Sequence, residues 1–193
     1  MQSFYALGLG YLLGSVPFGL ILTRLFSAGD LRQIGSGSIG ATNVLRTGRK
    51  GLAVATLLLD AGKGVLSVLL AARLWPGSEG LAAIGAIVGH CFPFWLQFKG
   101  GKGFATAAGV LGALAWPVML VCAAVWALAL ALSRISSVSS LSATAAAPLA
   151  AWLLGYPQLV WVMLVIAAIV FVQHRANIAR LCAGTEPRVG QKA

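Results

Sequence analysis

Five long apolar runs occupy most of this chain and limit what it can fold into. They cover residues 4–23, 51–73, 80–97, 104–132 and 138–173. A helix needs about 20 apolar residues to cross the hydrocarbon core of a bilayer. Charged residues make up only 9% of the 193, against roughly 25% in soluble domains. The sequence therefore predicts an all-α fold, a polytopic integral membrane helical bundle whose outer surface contacts lipid.

Two of the runs are too long to be single straight helices. The run at 104–132 contains Ala-Trp-Pro at 115–117, and the run at 138–173 contains Gly-Tyr-Pro at 155–157. Proline breaks or kinks a helix and keeps the residue before it out of helical geometry. Splitting both runs predicts about seven transmembrane helices, with five as the alternative. The helix near residue 104 would then be short, about 18 Å at 1.5 Å per residue.

The basic residues divide the connections between the apolar runs into two groups. The segments 24–50 and 98–103 and the tail after residue 173 carry Lys and Arg, whereas the connection 74–79 has neither. The positive-inside rule then places the N-terminus outside, and the basic loops and the C-terminus in the cytoplasm. We expect residues 1–193 to form a single membrane-embedded domain.

The net charge of +10 restricts the partners of this chain. Only four residues are acidic, and a basic surface attracts nucleic acid, anionic lipid or an anionic substrate. A chain that is mostly membrane span does not suit nucleic acid. We therefore expect no nucleic acid partner, and contacts with membrane lipid and a small anionic substrate.

A first glycine segment, residues 35–46, has the composition of an anion-binding loop. Its glycines let backbone N–H groups approach a ligand closely, and successive N–H groups form anion-binding nests. The guanidinium of Arg46 suits phosphate or carboxylate. A flexible cytoplasmic loop without a ligand is the alternative. The candidate residues here are Gly35, Ser36, Gly37, Ser38, Thr42, Asn43 and Arg46.

A second glycine segment, residues 98–106, carries two lysines and is predicted to open a helix. Helix N-termini bind anions through their N–H groups and the helix dipole. It is not a Walker loop, because Leu96 and Gly103 stand where that motif needs Gly and Ser or Thr. Basic anchoring of a membrane end is the alternative, and a packed interfacial role is the alternative for His90. The candidates are His90, Lys99, Gly100, Gly101, Lys102, Gly103 and Thr106.

A histidine segment, residues 174–181, follows the last apolar run. On a helix, His174, Asn177 and Leu181 lie on one face, so the first two side chains can point to a common site, with Arg175 beside them. A basic cluster that binds lipid head groups is the alternative.

Asp60 and Lys63 lie three residues apart within the second apolar run. A charge in a span costs on the order of 3 kcal/mol on insertion scales, so such residues usually face the protein interior. They form either a structural ion pair or a substrate site in which Lys63 neutralises phosphate. The loops contain no carboxylate pair and no metal-ligand cluster, so we expect no metal.

Together, the three segments resemble those of the PlsY family, the bacterial glycerol-3-phosphate acyltransferases that use acyl phosphate. The similar stretches are Gly-Ser-Gly-Ser-Ile-Gly-Ala-Thr-Asn at 35–43, Phe-Lys-Gly-Gly-Lys-Gly at 98–103 and His-Arg-Ala-Asn-Ile-Ala-Arg-Leu at 174–181. Their order and the chain length also fit. One departure is Ser38, where the family usually has Asn.

The resemblance implies a reaction in phospholipid biosynthesis. An acyl group would pass from acyl phosphate to the 1-hydroxyl of sn-glycerol 3-phosphate, giving lysophosphatidic acid and inorganic phosphate. No cofactor is implied, and acyl-CoA is not the expected donor. The enzyme would lie in the cell inner membrane with its active site on the cytoplasmic face, and the enzyme that makes acyl phosphate would be a partner.

The resemblance also assigns roles to individual residues. The implied catalytic residues are Ser36, Arg46, Lys102, His174 and Asn177. The implied substrate-binding residues are Gly35, Gly37, Ser38, Thr42, Asn43, Lys63, His90, Lys99, Gly100, Gly101, Gly103, Thr106 and Arg175.

Two questions stay open from the residues alone. The hydroxyl proton can pass to His174, whose pKa lies near neutrality as a residue type, or to the phosphate of the donor itself. A transporter of an organic phosphate is the alternative function, with proline-broken helices as its binding site. A lipid-binding scaffold without activity is a third reading.

Overall fold

The computed structural model describes residues 1–190, in which the regular secondary structure is all helical, with no strand among these residues. Three short 3-10 turns, at Leu31–Gln33, Phe94–Leu96 and Pro157–Leu159, interrupt the connections. The α-helices are α1 (Gln2–Gly14), α2 (Phe18–Leu25), α3 (Ala41–Leu45), α4 (Lys50–Leu74), α5 (Glu79–Cys91), α6 (Phe104–Leu114), α7 (Trp116–Ser133), α8 (Ser136–Leu153), α9 (Val160–Gln173) and α10 (Arg175–Cys182).

Four helical stretches are long and apolar enough to cross a membrane within the described part of the chain. They are Gln2–Leu25, Lys50–Leu74, Glu79–Leu96 and Trp116–Ser133. The stretch Pro157–Gln173 becomes a fifth if it is joined to α10 across a bend of 62°. The predicted all-α fold is therefore confirmed for these residues, whereas the seven crossings and the sidedness of the termini stay predictions.

Both proline-containing breaks predicted from the sequence are present. Helix α6 ends at Leu114 and α7 begins at Trp116, with Pro117 in the first turn of α7. A proline is tolerated there because the first turn has no N–H partner to lose. Helix α8 ends at Leu153, and Pro157 opens a 3-10 turn before α9. Helix α6 has only 11 residues, which agrees with the short helix expected.

The helices group into two compact units. The first unit is Met1–Leu114, and the second begins at Ala115. In the first unit, α5 packs on α1 and α6 packs on α4, while α4 also contacts α1 and α5. In the second unit, α8 packs against α7 and α9. That residues 1–193 act as one domain stays a prediction.

Close glycine contacts hold α1 against α5. A Cβ atom added at any of four positions would collide with a backbone carbonyl of the facing helix, as at Gly10 with the oxygen of Ala82 and at Gly89 with that of Tyr11. Small residues four apart let membrane helices approach closely enough for extensive van der Waals contact. The four positions are Gly10, Gly14, Gly85 and Gly89.

The same geometry joins α4 to α6. A Cβ atom at Gly109 would collide with the carbonyl oxygen of Ala61, and one at Gly64 would lie 2.6 Å from that of Thr106. Because α6 begins at Phe104, within the second glycine segment, this contact ties that segment to α4.

The glycine packing predicts a contrast between two neighbouring positions. Gly10→Ala places a methyl group against the carbonyl of Ala82, and overpacking of this kind costs about 1–3 kcal/mol. Gly8 has no neighbour within 4 Å of an added Cβ, so Gly8→Ala is the matched control. We expect Gly10→Ala to lower the melting temperature in detergent by several degrees and Gly8→Ala to leave it unchanged or raise it. Equal effects would contradict this packing.

Candidate functional site

The buried side chain of Asn43 holds the first glycine segment in its conformation through hydrogen bonds. Asn43 is only 2% exposed. Its Nδ2 donates to the carbonyl oxygens of Leu31 and Ser38, each at 2.8 Å. Its Oδ1 accepts from the backbone N–H of Ser36 and from Nη1 of Arg46, each at 3.3 Å. One amide therefore connects both ends of the segment, because it can donate twice and accept twice.

The outer face of the same segment is open to solvent. Ser36, Thr42 and Arg46 are exposed. Gly35 and Gly37 have positive φ angles of 52° and 68°, a region that favours glycine. A Cβ at Gly35 would also collide with Nη1 of Arg46. Glycine at 35 therefore lets the guanidinium lie across the backbone.

An exposed ion pair precedes this segment. Asp30 caps the 3-10 turn at Leu31–Gln33 by accepting the N–H of Arg32 at 3.0 Å, and it pairs with the Arg32 guanidinium at 2.6 Å. Hydrogen bonds from the Arg32 side chain and backbone lower the pKa of Asp30 to about 2. The carboxylate therefore stays charged and keeps Arg32 in place at neutral pH.

The second glycine segment begins in a strained turn and, as predicted, opens α6. Gln97 and Phe98 both have positive φ angles, 53° and 61°, which a large aromatic residue rarely adopts. Two backbone hydrogen bonds then hold the glycines against the end of α5. The N–H of Gly100 donates to the carbonyl of Cys91 at 3.1 Å, and the N–H of Gly101 donates to that of His90 at 3.0 Å.

The structure brings the two glycine segments together at one groove. An open groove of about 610 Å³ is lined by Gly37 from the first segment and by Lys99 and Gly100 from the second. Arg32 and its partner Asp30 line the same groove. Its other lining residues are Gln33, Trp95, Leu96 and Gln97. Ser36, Arg46 and Lys102 are not among its lining residues.

A buried polar network lies beneath the second glycine segment. Lys63 Nζ is 2.7 Å from Asp60 Oδ1 and donates to the carbonyl of Val16 at 2.8 Å. His90 Nδ1 is 3.2 Å from Thr106 Oγ1 and 3.6 Å from Asp60 Oδ1. The side chains of Asp60, Lys63, His90 and Thr106 are at most 5% exposed, and they face one another.

In the second unit, His174 marks the bend between α9 and α10. It is 3% exposed, and its Nδ1 lies 2.8 Å from the carbonyl oxygen of Val170. A carbonyl can only accept, so Nδ1 carries the hydrogen and the neutral ring has its lone pair at Nε2. The adjacent Arg175 is exposed, and its Nη1 donates to the carbonyl of Val172 at 3.2 Å.

Glu186 organises the histidine segment, and the sequence analysis did not identify it as a site residue. Its Oε1 accepts from Ser137 Oγ at 2.7 Å and from Asn177 Nδ2, and its Oε2 accepts from Arg180 Nε at 2.7 Å. Its side chain is 6% exposed. Burial acts to raise the pKa of Glu186, but the three hydrogen bonds outweigh it and hold the pKa below its ordinary value. In the sequence, the feature that could have pointed to Glu186 is that it is the one acidic residue in a basic C-terminal tail.

The contact with Glu186 also orients Asn177. Only the NH₂ group can donate to a carboxylate, so the amide oxygen Oδ1 points the other way. Oδ1 is buried and has no hydrogen-bond partner within the described residues. Buried acceptors without partners are rare in proteins, and a ligand hydroxyl would supply the missing donor.

The predicted site residues thus fall into two sets, one in each unit. The first unit holds both glycine segments, and the second holds His174, Asn177 and Arg175. In residues 1–190, no three side chains of His, Cys, Asp or Glu gather in a group that would suit a metal ion. The expectation that the chemistry needs no metal stays a prediction.

Comparison with known proteins identifies the family. The family model described as glycerol-3-phosphate acyltransferase matches residues 4–184. The chain is 57% identical over 184 residues to the glycerol-3-phosphate acyltransferase of Erythrobacter litoralis, covering 95% of this chain and 93% of that protein. The chain belongs to the glycerol-3-phosphate acyltransferase family. The relative from Mesorhizobium japonicum is 56% identical over 187 residues, covering 97% of this chain and 96% of that protein.

Two solved structures of this acyltransferase family have the same fold. Both are PlsY, described as an integral membrane glycerol 3-phosphate acyltransferase, in a glycerol 3-phosphate form and a lysophosphatidic acid form. The TM-scores are 0.92 and 0.90, at 36% and 35% identity, and each comparison covers 98% of this chain and 96% of the other. The predicted family and enzyme class are confirmed: the protein is an integral membrane acyltransferase.

The contacts of Glu186 predict how stability depends on pH. A carboxyl group whose folded pKa is depressed stabilises the fold fully above its unfolded pKa, about 4.3. That contribution is lost as the pH falls through the lower folded value. Glu186→Gln should therefore melt below wild type at pH 7, and the gap should close as the pH falls below about 4.

Thermal unfolding in detergent across this pH range measures the effect. Glu79→Gln is the control, because within residues 1–190 Glu79 accepts a single exposed backbone N–H, from Gly77 at 3.0 Å. We expect Glu79→Gln to follow wild type at every pH. A gap between Glu186→Gln and wild type that stays constant with pH would contradict the assignment.

Proposed function

We propose that this enzyme transfers an acyl group from acyl phosphate to the 1-hydroxyl of sn-glycerol 3-phosphate, within phospholipid biosynthesis. The products are lysophosphatidic acid and inorganic phosphate. The observation that carries the proposal is the groove at which Gly37, Lys99 and Gly100 meet, since a lysine ammonium between two glycine segments suits a phosphate-bearing substrate. The names and bound forms of the relatives support the acceptor.

Phosphate binding is assigned to residues of the two glycine segments. Lys102, Arg46 and Ser36 are the principal contacts, and the exposure of Ser36 and Arg46 supports their access to a ligand. Arg46 offers a bidentate fork, and Lys102 offers a point charge at the start of α6. Asn43 is proposed to shape the first glycine segment, and Arg175 to add positive charge. Further contacts are proposed for Gly35, Gly37, Ser38, Thr42, Lys99, Gly100, Gly101 and Gly103.

His174 and Asn177 are proposed to hold the glycerol moiety. The partnerless Oδ1 of Asn177 suits a hydroxyl donor. The hydroxyl oxygen attacks the acyl carbonyl carbon, a C–O bond forms, and the bond from that carbon to the phosphate oxygen breaks. The proton passes to the departing phosphate, and His174 orients the hydroxyl. Acyl phosphate has a good leaving group, so positioning and electrostatic stabilisation are the main contributions required.

The membrane arrangement is part of the proposal. Seven helices cross the cell inner membrane as one domain over residues 1–193, with the N-terminus outside and the C-terminus cytoplasmic. The basic connections support this sidedness through the positive-inside rule. The site then faces the cytoplasm, where glycerol 3-phosphate is soluble, and the acyl chain enters from lipid. The enzyme that makes acyl phosphate is the proposed partner.

One assay tests the donor and the acceptor together. The protein in lipid is mixed with palmitoyl phosphate and glycerol 3-phosphate, without magnesium or nucleotide. We expect phosphate release that requires both substrates, with lysophosphatidic acid detected by mass. Activity only with acyl-CoA would refute the donor. Absence of product together with passage of glycerol 3-phosphate across sealed vesicles would favour the transporter.

A further inference from the structure

An aspartate, a lysine and a histidine lie buried in α4 and α5. Asp60 and Lys63 lie in the middle part of α4, and His90 lies near the end of α5, each at most 5% exposed. Charges in spans are expensive and are retained where they have a function or a partner. In this protein, the side chains that contact these three residues connect them to the second glycine segment.

The contacts form a continuous path. Lys63 Nζ bridges the carbonyl of Val16 and the carboxylate of Asp60. Asp60 Oδ1 faces His90 Nδ1 at 3.6 Å. Thr106, in the first turn of α6, contacts the same ring nitrogen at 3.2 Å. The side chain of His90 is thus held between α4 and α6.

The other edge of the His90 ring supports the glycine turn. A Cβ atom at Gly101 would collide with His90 Nε2, so the ring and the backbone of Gly101 are in direct contact. The N–H of Gly101 donates to the carbonyl of His90. Thr106 fixes the other end of the turn, because its carbonyl packs against Gly64 of α4. Lys102 lies between these two supports.

We propose that Asp60, Lys63, His90 and Thr106 are positioning residues that hold the Gly100–Gly103 turn, and with it Lys102, in the geometry that binds substrate phosphate. This inference rests on the proposed function. It places Lys63, His90 and Thr106 behind the turn rather than against the substrate. The buried pair of Asp60 and Lys63 then promotes binding of the substrate phosphate without contacting it.

The ion pair is tested by removing both charges together. A single change, Asp60→Asn or Lys63→Met, leaves a buried charge without its partner and strongly destabilises the protein. The double variant Asp60→Asn/Lys63→Met avoids that penalty, so its melting temperature should approach wild type. We still expect its KM for the phosphate substrates to rise about tenfold, the size of effect that follows loss of outer-shell partners in metal sites. The change in kcat should be smaller.

A pair of threonine variants controls for loss of a buried hydroxyl. Thr106→Val removes the contact with His90 while keeping the side-chain shape, and its KM should rise. Thr56→Val is the matched control, because Thr56 is equally buried and its hydroxyl donates to its own helix at Leu52. We expect wild-type KM and kcat from Thr56→Val. Wild-type KM in both the double variant and Thr106→Val would overturn the inference.

Amide hydrogen exchange separates this inference from the proposed reaction. Exchange in a peptide covering residues 99–103 should be faster in the double variant and in Thr106→Val than in wild type and Thr56→Val. Unchanged exchange would overturn the positioning role. If wild type makes no product from palmitoyl phosphate and glycerol 3-phosphate, the proposed reaction fails, and exchange still decides whether the network holds the turn.

Discussion

The lack of water around membrane-spanning helices is the constraint on which the rest of this structure depends. Every polar group within the hydrocarbon must find a partner inside the protein. Backbone groups pair with one another within helices. The hydroxyl of Thr144 donates to the Ser140 carbonyl, and Lys63 forms an ion pair with Asp60. Groups that must meet a charged substrate therefore belong in the connections between helices, where both glycine segments lie.

Two buried asparagines use their side-chain amides in different ways. Both are buried, Asn43 at 2% and Asn177 at 5% exposure. Asn43 uses its NH₂ group and its oxygen on protein groups between Leu31 and Arg46. Asn177 commits its NH₂ group to Glu186 and leaves its oxygen without a protein partner. The first amide shapes a loop, and the oxygen of the second is the acceptor that we propose for a substrate hydroxyl.

Local chemistry was predictable from the sequence, and long-range contact was not. The helix breaks near Pro117 and Pro157 follow from the geometry of proline, and the glycine turn before α6 follows from composition. The contact between His90 and Gly101 depends on how the turn folds back over α5, which spacing does not reveal. The contact of Glu186 with Ser137 was equally hard to predict, because the two residues are 49 positions apart in the chain.

We propose that acyl transfer is direct: the hydroxyl of glycerol 3-phosphate attacks the acyl carbonyl, and no covalent enzyme intermediate forms. Mixing the protein with palmitoyl phosphate alone, followed by intact-mass analysis and phosphate detection within one turnover, tests it. Direct transfer predicts unmodified protein and no burst of phosphate until glycerol 3-phosphate is added. An acylated protein, whether at exposed Ser36 or at another residue, together with a phosphate burst, would contradict direct transfer.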